Sequence, residues 1–232
     1  MLPLTPPSSL DVVRLIRPTV EETMDGLKRY YEKPPQWGYG PAKTIAKPVF
    51  SGELSVEAAV EGCRRRGNPL GRDSNAEVAG LVWEAAQGRS FQCFDLSKRP
   101  FAIRQDLKFW VDPLFFFVER GRVKIFWLQP RRGFYPTLEG FGTLAVIIRM
   151  TFIDDFDEFD LELLDLSVPP GSKKRVPRTL GFSVLPQLSE DDVRAALERF
   201  AQAYDCVRDM GVQRPERRPR PSDIRPGSDL FE

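Results

Sequence analysis

The chain of 232 residues is 41% hydrophobic, which is enough to form the core of one large domain or of two small ones, and we expect one main core. With 34 lysine and arginine residues against 33 aspartate and glutamate residues, the net charge of +1 predicts no general attraction to nucleic acid or to anionic membranes. Because the sequence contains no histidine, Ser-His-Asp catalysis, Cys-His catalysis and every histidine-bearing metal site are excluded. An enzyme with this composition would have to use carboxylates, lysine, tyrosine, serine or cysteine, and a magnesium ion held by carboxylate oxygens suits that set.

The location of the protein is predicted from what its sequence lacks. The first residues contain no charged leader followed by an apolar run, and no apolar stretch approaches the roughly 20 residues of a membrane span. The cysteines Cys63, Cys93 and Cys206 lie far apart and form no C-x-x-C pair, so neither a disulfide framework nor a zinc ribbon is expected. The sequence therefore predicts a cytoplasmic protein that binds no membrane.

The first third of the chain predicts helices joined by loops. Residues 1–18 are rich in proline around a short apolar patch, which indicates an arm or a short strand, and a capping box at residues 19–22 begins a helix that ends near Pro34. Residues 34–48 predict a loop with two aromatic side chains, Trp37 and Tyr39. Packing of these aromatics on their own domain is favoured over stacking on bases or on a proline-rich peptide.

The rest of the chain predicts helices around a sheet. Ser55 caps a short helix, and the stretch from Ser74 to Glu77 is a second capping box that opens another helix. Alternating and apolar runs then predict strands at residues 91–96, 102–103, 108–111, 114–118, 123–128, 159–166 and 178–185. Gly121 predicts a tight hairpin, residues 137–152 a buried helix, and Ser189 the start of the last helix.

These elements predict an α+β fold with a central mixed β-sheet flanked by helices. We expect residues 1–53 to form an arm, a helix and an aromatic loop packed on the core, and residues 54–211 to form the α+β core domain. Residues 212–232 form a basic, proline-rich tail. The tail is predicted to be disordered because it has few apolar residues to offset the entropy of ordering.

The order of elements over residues 74–205 resembles the αβββαβ core of the PD-(D/E)XK nuclease-like fold. In that family an aspartate at the start of one hairpin strand and an acid-x-lysine on the next strand surround a magnesium ion. Asp112 stands where the family has its aspartate, and Gln129 and Arg131 stand near its acid-x-lysine. The resemblance implies Asp112 as a metal ligand for magnesium, and Asp112, Glu119, Gln129 and Arg131 as candidate catalytic residues.

Three residues depart from the pattern of that family. Gln129 carries no charge and therefore binds magnesium weakly, Pro130 removes a backbone donor from a central strand, and Arg131 is a poor proton acceptor. A turn at Asp112 and a strand end at Gln129 are therefore favoured over a working catalytic site.

Charged clusters elsewhere suggest contacts with phosphate. The candidate nucleic-acid-binding residues are Arg131, Arg132, Lys173, Lys174, Arg175 and Arg178, which can neutralise phosphates if the fold gathers them on one face. The acidic residues 154–158 predict a solvated turn rather than a calcium loop. Glu162 and Asp165 lie three residues apart on a strand and therefore point to opposite faces.

The end of the tail is similar to the short peptides by which bacterial DNA-processing proteins dock on the replication sliding clamp. Asp229, Leu230 and Phe231 match such peptides, whereas Gly227 stands where they have a glutamine. The resemblance implies these three residues as partner-binding residues. The alternative is that Leu230 and Phe231 fold back onto their own domain.

Three functions remain open from the sequence. The leading hypothesis is a nucleic-acid-associated protein, binding DNA or RNA, on a nuclease-like scaffold that has lost catalysis and acts in bacterial DNA processing, repair or defence. The second is a non-catalytic protein-interaction subunit without nucleic-acid binding, and the third is an active magnesium-dependent nuclease.

Overall fold

The computed structural model describes residues 4–133 and 136–213, which form seven α-helices, one short 3-10 helix and seven strands. The helices are α1 Ser9–Leu15, α2 Val20–Glu32, α3 Gly40–Phe50, α4 Val56–Arg65, α5 Arg72–Ala86, α6 Leu138–Phe152 and α7 Glu190–Asp209, with the 3-10 turn at Pro69–Gly71. The strands are β1 Gln92–Phe94, β2 Arg99–Arg104, β3 Leu107–Val111, β4 Phe115–Glu119, β5 Arg122–Gln129, β6 Asp160–Asp165 and β7 Arg178–Leu180. The predicted α+β class with a mixed sheet is confirmed.

Five of the strands form one mixed sheet in the order β1-β4-β5-β6-β7, and β2 and β3 form a separate antiparallel hairpin. Strands β5 and β6 are parallel and are connected through α6, while the other neighbours in the large sheet are antiparallel. The hairpin predicted at Gly121 is confirmed: β4 and β5 meet at Arg120 and Gly121, which have φ angles of 51° and 76°. Two consecutive positive φ angles suit the twist of a two-residue hairpin.

Each face of the large sheet carries its own hydrophobic core. Helix α6 packs with α1, α2 and α7 over the face that presents Ile125 and Trp127, and Phe141 of α6 is fully buried there. Helices α3, α4 and α5 cover the opposite face, where the rings of Phe50 and Phe115 pack against Phe126. The predicted packing of the apolar helix 137–152 on the sheet is therefore confirmed.

Two segments are helical where the sequence predicted an arm or strand and a loop. Helix α1 begins because the Ser8 hydroxyl accepts a hydrogen bond from the backbone N–H of Asp11 at 3.4 Å, and apolar neighbours bury it on nearly all sides. Helix α3 replaces the loop predicted at 34–48. Pro41 occupies its first turn, where no amide donor is needed, and Pro48 stands near its end.

The buried side chain of Asn75 explains how the segment before α3 is held. Its amide accepts a hydrogen bond from the N–H of Ala42 at 3.1 Å and donates to the carbonyls of Gly38 and Gly71. Trp37 lies so close over Gly71 that a Cβ there would be only 2.5 Å from its ring. Both aromatics of this segment pack on their own domain, as the favoured interpretation predicted.

Two predicted boundaries were wrong. Ser74 is not a cap, because α5 begins at Arg72 and continues directly from the 3-10 turn. Strand β7 ends at Leu180 rather than near residue 185, because a turn closed by a bond from the N–H of Val184 to the carbonyl of Gly181 follows it.

The amino-terminal segment lies against the last helix. Helix α2 packs along α7, and two tyrosines hold the residues that precede α1. Tyr31 donates to the carbonyl of Thr5 at 2.9 Å, and Tyr204 donates to the carbonyl of Leu4. In the described part of the chain, no helix combines the length and apolarity needed to cross a membrane.

Candidate functional site at the carboxyl edge of the parallel strands

The carboxyl ends of β5 and β6 lie side by side, and the chain places ionised groups around them. Arg131 follows β5 and forms a two-pronged ion pair with Asp11 of α1, in which Nη2 donates to Oδ2 at 2.9 Å and Nη1 donates to Oδ1. Asp11 is 2% exposed. Burial opposes its ionisation, but hydrogen bonds and charge from Arg131 hold the pKa of Asp11 below its ordinary value.

Two more cations and a second aspartate lie around this pair. Arg14 contacts Asp11 at 3.2 Å, one helical turn further along α1. Lys43 of α3 is exposed at the surface near this pair, yet the surrounding protein reduces the hydration of its ammonium, which together with Arg131 lowers its pKa. The nearby carboxylates of Asp112 and Asp11 oppose that shift. Asp112 and Arg131 therefore both lie close enough to interact with Lys43.

Gln129, the last residue of β5, is fully buried and bonded to its own chain. Its side-chain Oε1 accepts a hydrogen bond from the N–H of Arg131 at 3.4 Å, and its Nε2 donates to the carbonyl of Arg131 at 3.3 Å. The amide thus shapes the turn through Pro130 that positions the guanidinium of Arg131 against α1.

The loop after β6 closes over the same edge through Arg175, which is buried. Its guanidinium donates to the carbonyls of Pro130 at 2.7 Å and Leu166 at 2.5 Å, and its Nε donates to Glu77 of α5 at 2.9 Å. The hydroxyl of Tyr39 accepts a fourth bond at 3.1 Å. Arg175 therefore ties together three separate segments of the chain.

The remaining predicted basic residues divide into paired and unpaired side chains. Arg132 contacts Glu77 at 3.4 Å and donates to the carbonyl of Lys173, and Arg178 of β7 pairs with the buried Asp165. Within residues 4–133 and 136–213, the exposed lysines Lys173 and Lys174 form no ion pair. Of the six predicted residues, only these two have a charge that no described carboxylate neutralises.

We call this group the carboxyl-edge cluster. Its members are Asp11, Arg14, Lys43, Glu77, Asp112, Arg131, Arg132, Lys173, Lys174 and Arg175. Seven cationic side chains face three carboxylates, although the whole chain carries a net charge of only +1. Positive charge is therefore concentrated at this edge of the sheet.

Glu119 lies at the other end of the hairpin, beside the turn, and not with Asp112 and Gln129. It belongs to a second charged group at the amino ends of β5 and β6, the amino-edge network, which consists of Arg89, Glu119, Lys124 and Glu162. Arg89 donates to Glu119 at 2.8 Å and to Glu162 at 2.7 Å, with its guanidinium 4.5 Å from the Phe91 ring centroid. The bond from Arg89, assisted by Lys124, lowers the pKa of Glu119 to about 2.

The structure thus brings Asp112, Gln129 and Arg131 to one edge and leaves Glu119 at the opposite edge. In the described ranges, no group of three or more cysteine, aspartate or glutamate side chains gathers where it could hold a metal ion. Sequence reasoning missed Asp11, Lys43 and Glu77, which supply the partners of the predicted residues. The spacing of Ser8 and Asp11, a capping pattern, was the signal that could have identified α1.

Glu162 and Asp165 lie on opposite faces of β6, as their spacing predicted: Glu162 meets Arg89, and Asp165 meets Arg178. The proposed partner-binding residues Asp229, Leu230 and Phe231 lie outside the described residues. Comparison with known proteins found no family model, no curated protein and no solved structure that matches the chain.

Proposed function

We propose that this protein binds the phosphate backbone of DNA or RNA at its carboxyl-edge cluster, without cutting it. The supporting observation is the excess of cations at that edge, where Lys43, Lys173 and Lys174 form no ion pair within the described residues. Exposed lysines that gain phosphate partners release counterions, and this release is the main source of affinity in sequence-independent binding.

Two features support a nuclease-like scaffold that has lost catalysis: the order of the elements, and the side-chain bonds at the carboxyl edge of the sheet. When the inserted hairpin of β2 and β3 is set aside, helix α5, strands β1, β4 and β5, helix α6 and strand β6 give an αβββαβ order, with β5 and β6 parallel. The nuclease-like families place their metal at the edge where Asp112 lies. Here the amide of Gln129 is engaged by the backbone of Arg131, and Arg131 is held by Asp11. Neither side chain is left to bind a metal or to activate water.

The direct test is binding of fluorescent single-stranded and double-stranded DNA and RNA, measured by anisotropy at several salt concentrations. We expect the logarithm of the affinity to fall with the logarithm of salt with a slope of roughly −3, as three phosphate contacts require. The double substitution Lys173→Ala and Lys174→Ala should reduce that slope by about 2. Adding Lys43→Ala to this double variant should remove most of the remaining dependence of the affinity on salt.

The matched control changes two other exposed cations, Arg120→Asn together with Arg122→Ala, at the hairpin turn on the opposite end of β4 and β5. These substitutions remove the same charge and should leave binding unchanged. Equal losses in both double variants would contradict a defined binding edge. Incubation with Mg²⁺ should leave the nucleic acid uncut, and cleavage that Asp112→Asn abolishes would establish the nuclease alternative instead.

A second candidate function is the docking of a protein on the small hairpin. Trp110 of β3 is 49% exposed and lies opposite Pro100 in the register, and the Lys98 ammonium is 4.9 Å from its ring centroid. Beside it lies a groove of about 490 Å³ lined by Pro6 and Pro7. Within the described residues β2 and β3 pair only with each other, so neither outer edge of the hairpin is paired with another strand, and strand addition is a known mode of peptide binding.

A displayed library of extended peptides can separate the two functions. If protein docking is the function, selected peptides should lose binding with Trp110→Ala and keep most of it with Trp110→Phe, while nucleic-acid affinity stays unchanged. Failure to select any peptide, combined with salt-dependent nucleic-acid binding, would leave the first function as the only one supported.

A further inference from the structure

An apolar groove of about 610 Å³ lies between α1, the start of α6 and α7, on the side of the sheet opposite α5. Leu10 and Val13 of α1 and Phe141 of α6 contribute its apolar lining. The volume is in the range of sites that take a small ligand or a few side chains of a peptide. It is separate from the groove beside Trp110, and none of the proposed phosphate-binding lysines lines it.

The lining of the groove contains more cationic side chains than carboxylates. Arg17 and Arg199 line it together with Arg14, and Glu139 contributes the single carboxylate among the described lining residues. The Nε of Arg199 is shielded from solvent, and in the described ranges no acceptor is bonded to it. A buried donor without a partner costs free energy. A ligand that brings an acceptor to this donor would remove that cost and would therefore bind more tightly.

The tail offers a segment of matching chemistry. Asp229, Leu230, Phe231 and Glu232 place two large apolar side chains between two carboxylates. We propose that this segment docks intramolecularly in the groove, with Leu230 and Phe231 in the apolar part and a carboxylate against Arg199. The groove shares Arg14 with the carboxyl-edge cluster but none of the lysines proposed to bind phosphate, and the docking does not depend on whether the protein binds nucleic acid.

The length of the tail allows this docking. Arg199 lies ten residues before Asp209, the end of α7, which corresponds to about 15 Å of helix. The 17 residues from Gln213 to Asp229 can span up to about 50 Å when extended. For two groups joined by a linker of this length, the effective concentration can reach the millimolar range, so that a weak contact is sufficient to fill the groove.

Docking in the groove would hide the same two side chains that resemble a clamp-binding peptide. A partner that takes Leu230 and Phe231 must therefore displace them first, and the groove would reduce the apparent affinity of any such partner. The end of the tail is then held either by its own domain or by a partner, but not by both at once.

Hydrogen exchange on the full chain tests the docking. Compared with the unaltered protein, Leu230→Ala combined with Phe231→Ala should increase exchange in α1 and in the first turn of α6 several-fold. The matched control, Leu70→Ala with Val176→Ala, removes two exposed apolar side chains outside the groove and should change neither segment. Protection that grows with protein concentration would show that the tail of a second copy fills the groove, which would overturn intramolecular docking.

A peptide added in trans provides the second measurement. A labelled peptide of residues 222–232 should bind the Leu230→Ala, Phe231→Ala chain with a dissociation constant of tens of micromolar, and bind the unaltered chain at least tenfold more weakly because its own tail competes. Arg199→Met in the double-alanine chain should weaken peptide binding at least fivefold. Unchanged exchange in the alanine variant together with no binding of the peptide would refute the proposal, even if the peptide bound a sliding clamp.

Discussion

The two ends of the parallel strand pair carry charge in opposite ways. At the amino edge, Arg89 and Lys124 meet Glu119 and Glu162 in a closed group whose charges cancel and whose side chains are largely shielded. At the carboxyl edge, Asp11 neutralises part of the surrounding positive charge, and lysines remain at the surface without ion pairs in the described residues.

The contrast separates charges that stabilise the fold from charges that remain for a ligand. A closed group of ion pairs in a shielded site is costly to break, because removing one member leaves the others uncompensated. An exposed lysine contributes little to folding and keeps its charge for phosphate. Stability should therefore respond most to changes at the amino edge, and binding most to changes at the carboxyl edge.

The largest effect is expected from Arg89→Met at the amino edge. The substitution leaves the carboxylates of Glu119 and Glu162 with Lys124 as their single cation, and should lower the free energy of unfolding by roughly 3–5 kcal/mol. Urea denaturation measures this loss. Arg65→Met, which removes one partner of an exposed pair with Glu61, is the control and should cost less than about 0.5 kcal/mol. Equal losses of unfolding free energy in the two variants would show that the shielded ion pairs contribute no more to stability than an exposed pair does.

A smaller loss is expected from Arg131→Met at the carboxyl edge. Asp11 would lose two charge-assisted hydrogen bonds but keep its contact with Arg14, so we expect a loss of about 2–3 kcal/mol. In a double-mutant cycle with Asp11→Asn, the two losses should be strongly non-additive. Additive losses would show that the ion pair does not hold α1 to the end of β5.

Acid should weaken the amino edge through Glu119. Its pKa in the folded protein, about 2, is below the ordinary value of 4.5, so the folded state binds fewer protons than the unfolded state between these values. The stabilisation is complete above pH 4.5 and is lost as the pH falls through about 2. The stability difference between the natural protein and Glu119→Gln should therefore narrow over that range, and a difference that is constant with pH would contradict the assignment.

The smallest change in stability is expected from Lys43→Met. Burial and Arg131 lower the pKa of the Lys43 ammonium, so its charge slightly disfavours the folded state at neutral pH. Stability of the natural protein should rise as the pH approaches 10.5, and the variant should lack this rise. At pH 7 the variant should lie within about 0.5 kcal/mol of the natural protein, or be slightly more stable, while its nucleic-acid affinity falls. A clear loss of stability would show instead that the charge of Lys43 stabilises the fold.

Local signals predicted most of the sheet and the later helices, because strands with apolar runs and helices with capping residues are encoded within a few neighbouring residues. The hairpin at Gly121 and the helix that begins after Ser189 followed such signals. Helix α3 did not, because its two prolines indicate a loop until the position of each in the helix is known. That position is fixed by Asn75, which lies more than 30 residues away.

The candidate site was predictable only in part, for the same reason. The sequence placed Asp112, Gln129 and Arg131 around one hairpin, and their turn chemistry follows from local order. Their charge partners come from α1 and α3, at sequence separations that no local pattern records. Arg131 therefore has no acidic partner in its local sequence but is bound by Asp11 in the structure, and Lys43, which falls in a predicted loop, lies near Asp112 and Asp11.

The packing of α2 and of the segment before α1 against α7 has a consequence for the synthesis of the protein. Tyr204 bonds to Leu4 across 200 positions, and α2 packs on α7, so the core on that face of the sheet stays incomplete until α7 has left the ribosome. Closing so long a loop is slow but adds little further cost in free energy, since the entropy lost grows only with the logarithm of its length. Apolar surface on α1 and α6 is therefore exposed until α7 has been synthesised, and exposed apolar surface of this kind favours aggregation of a nascent chain.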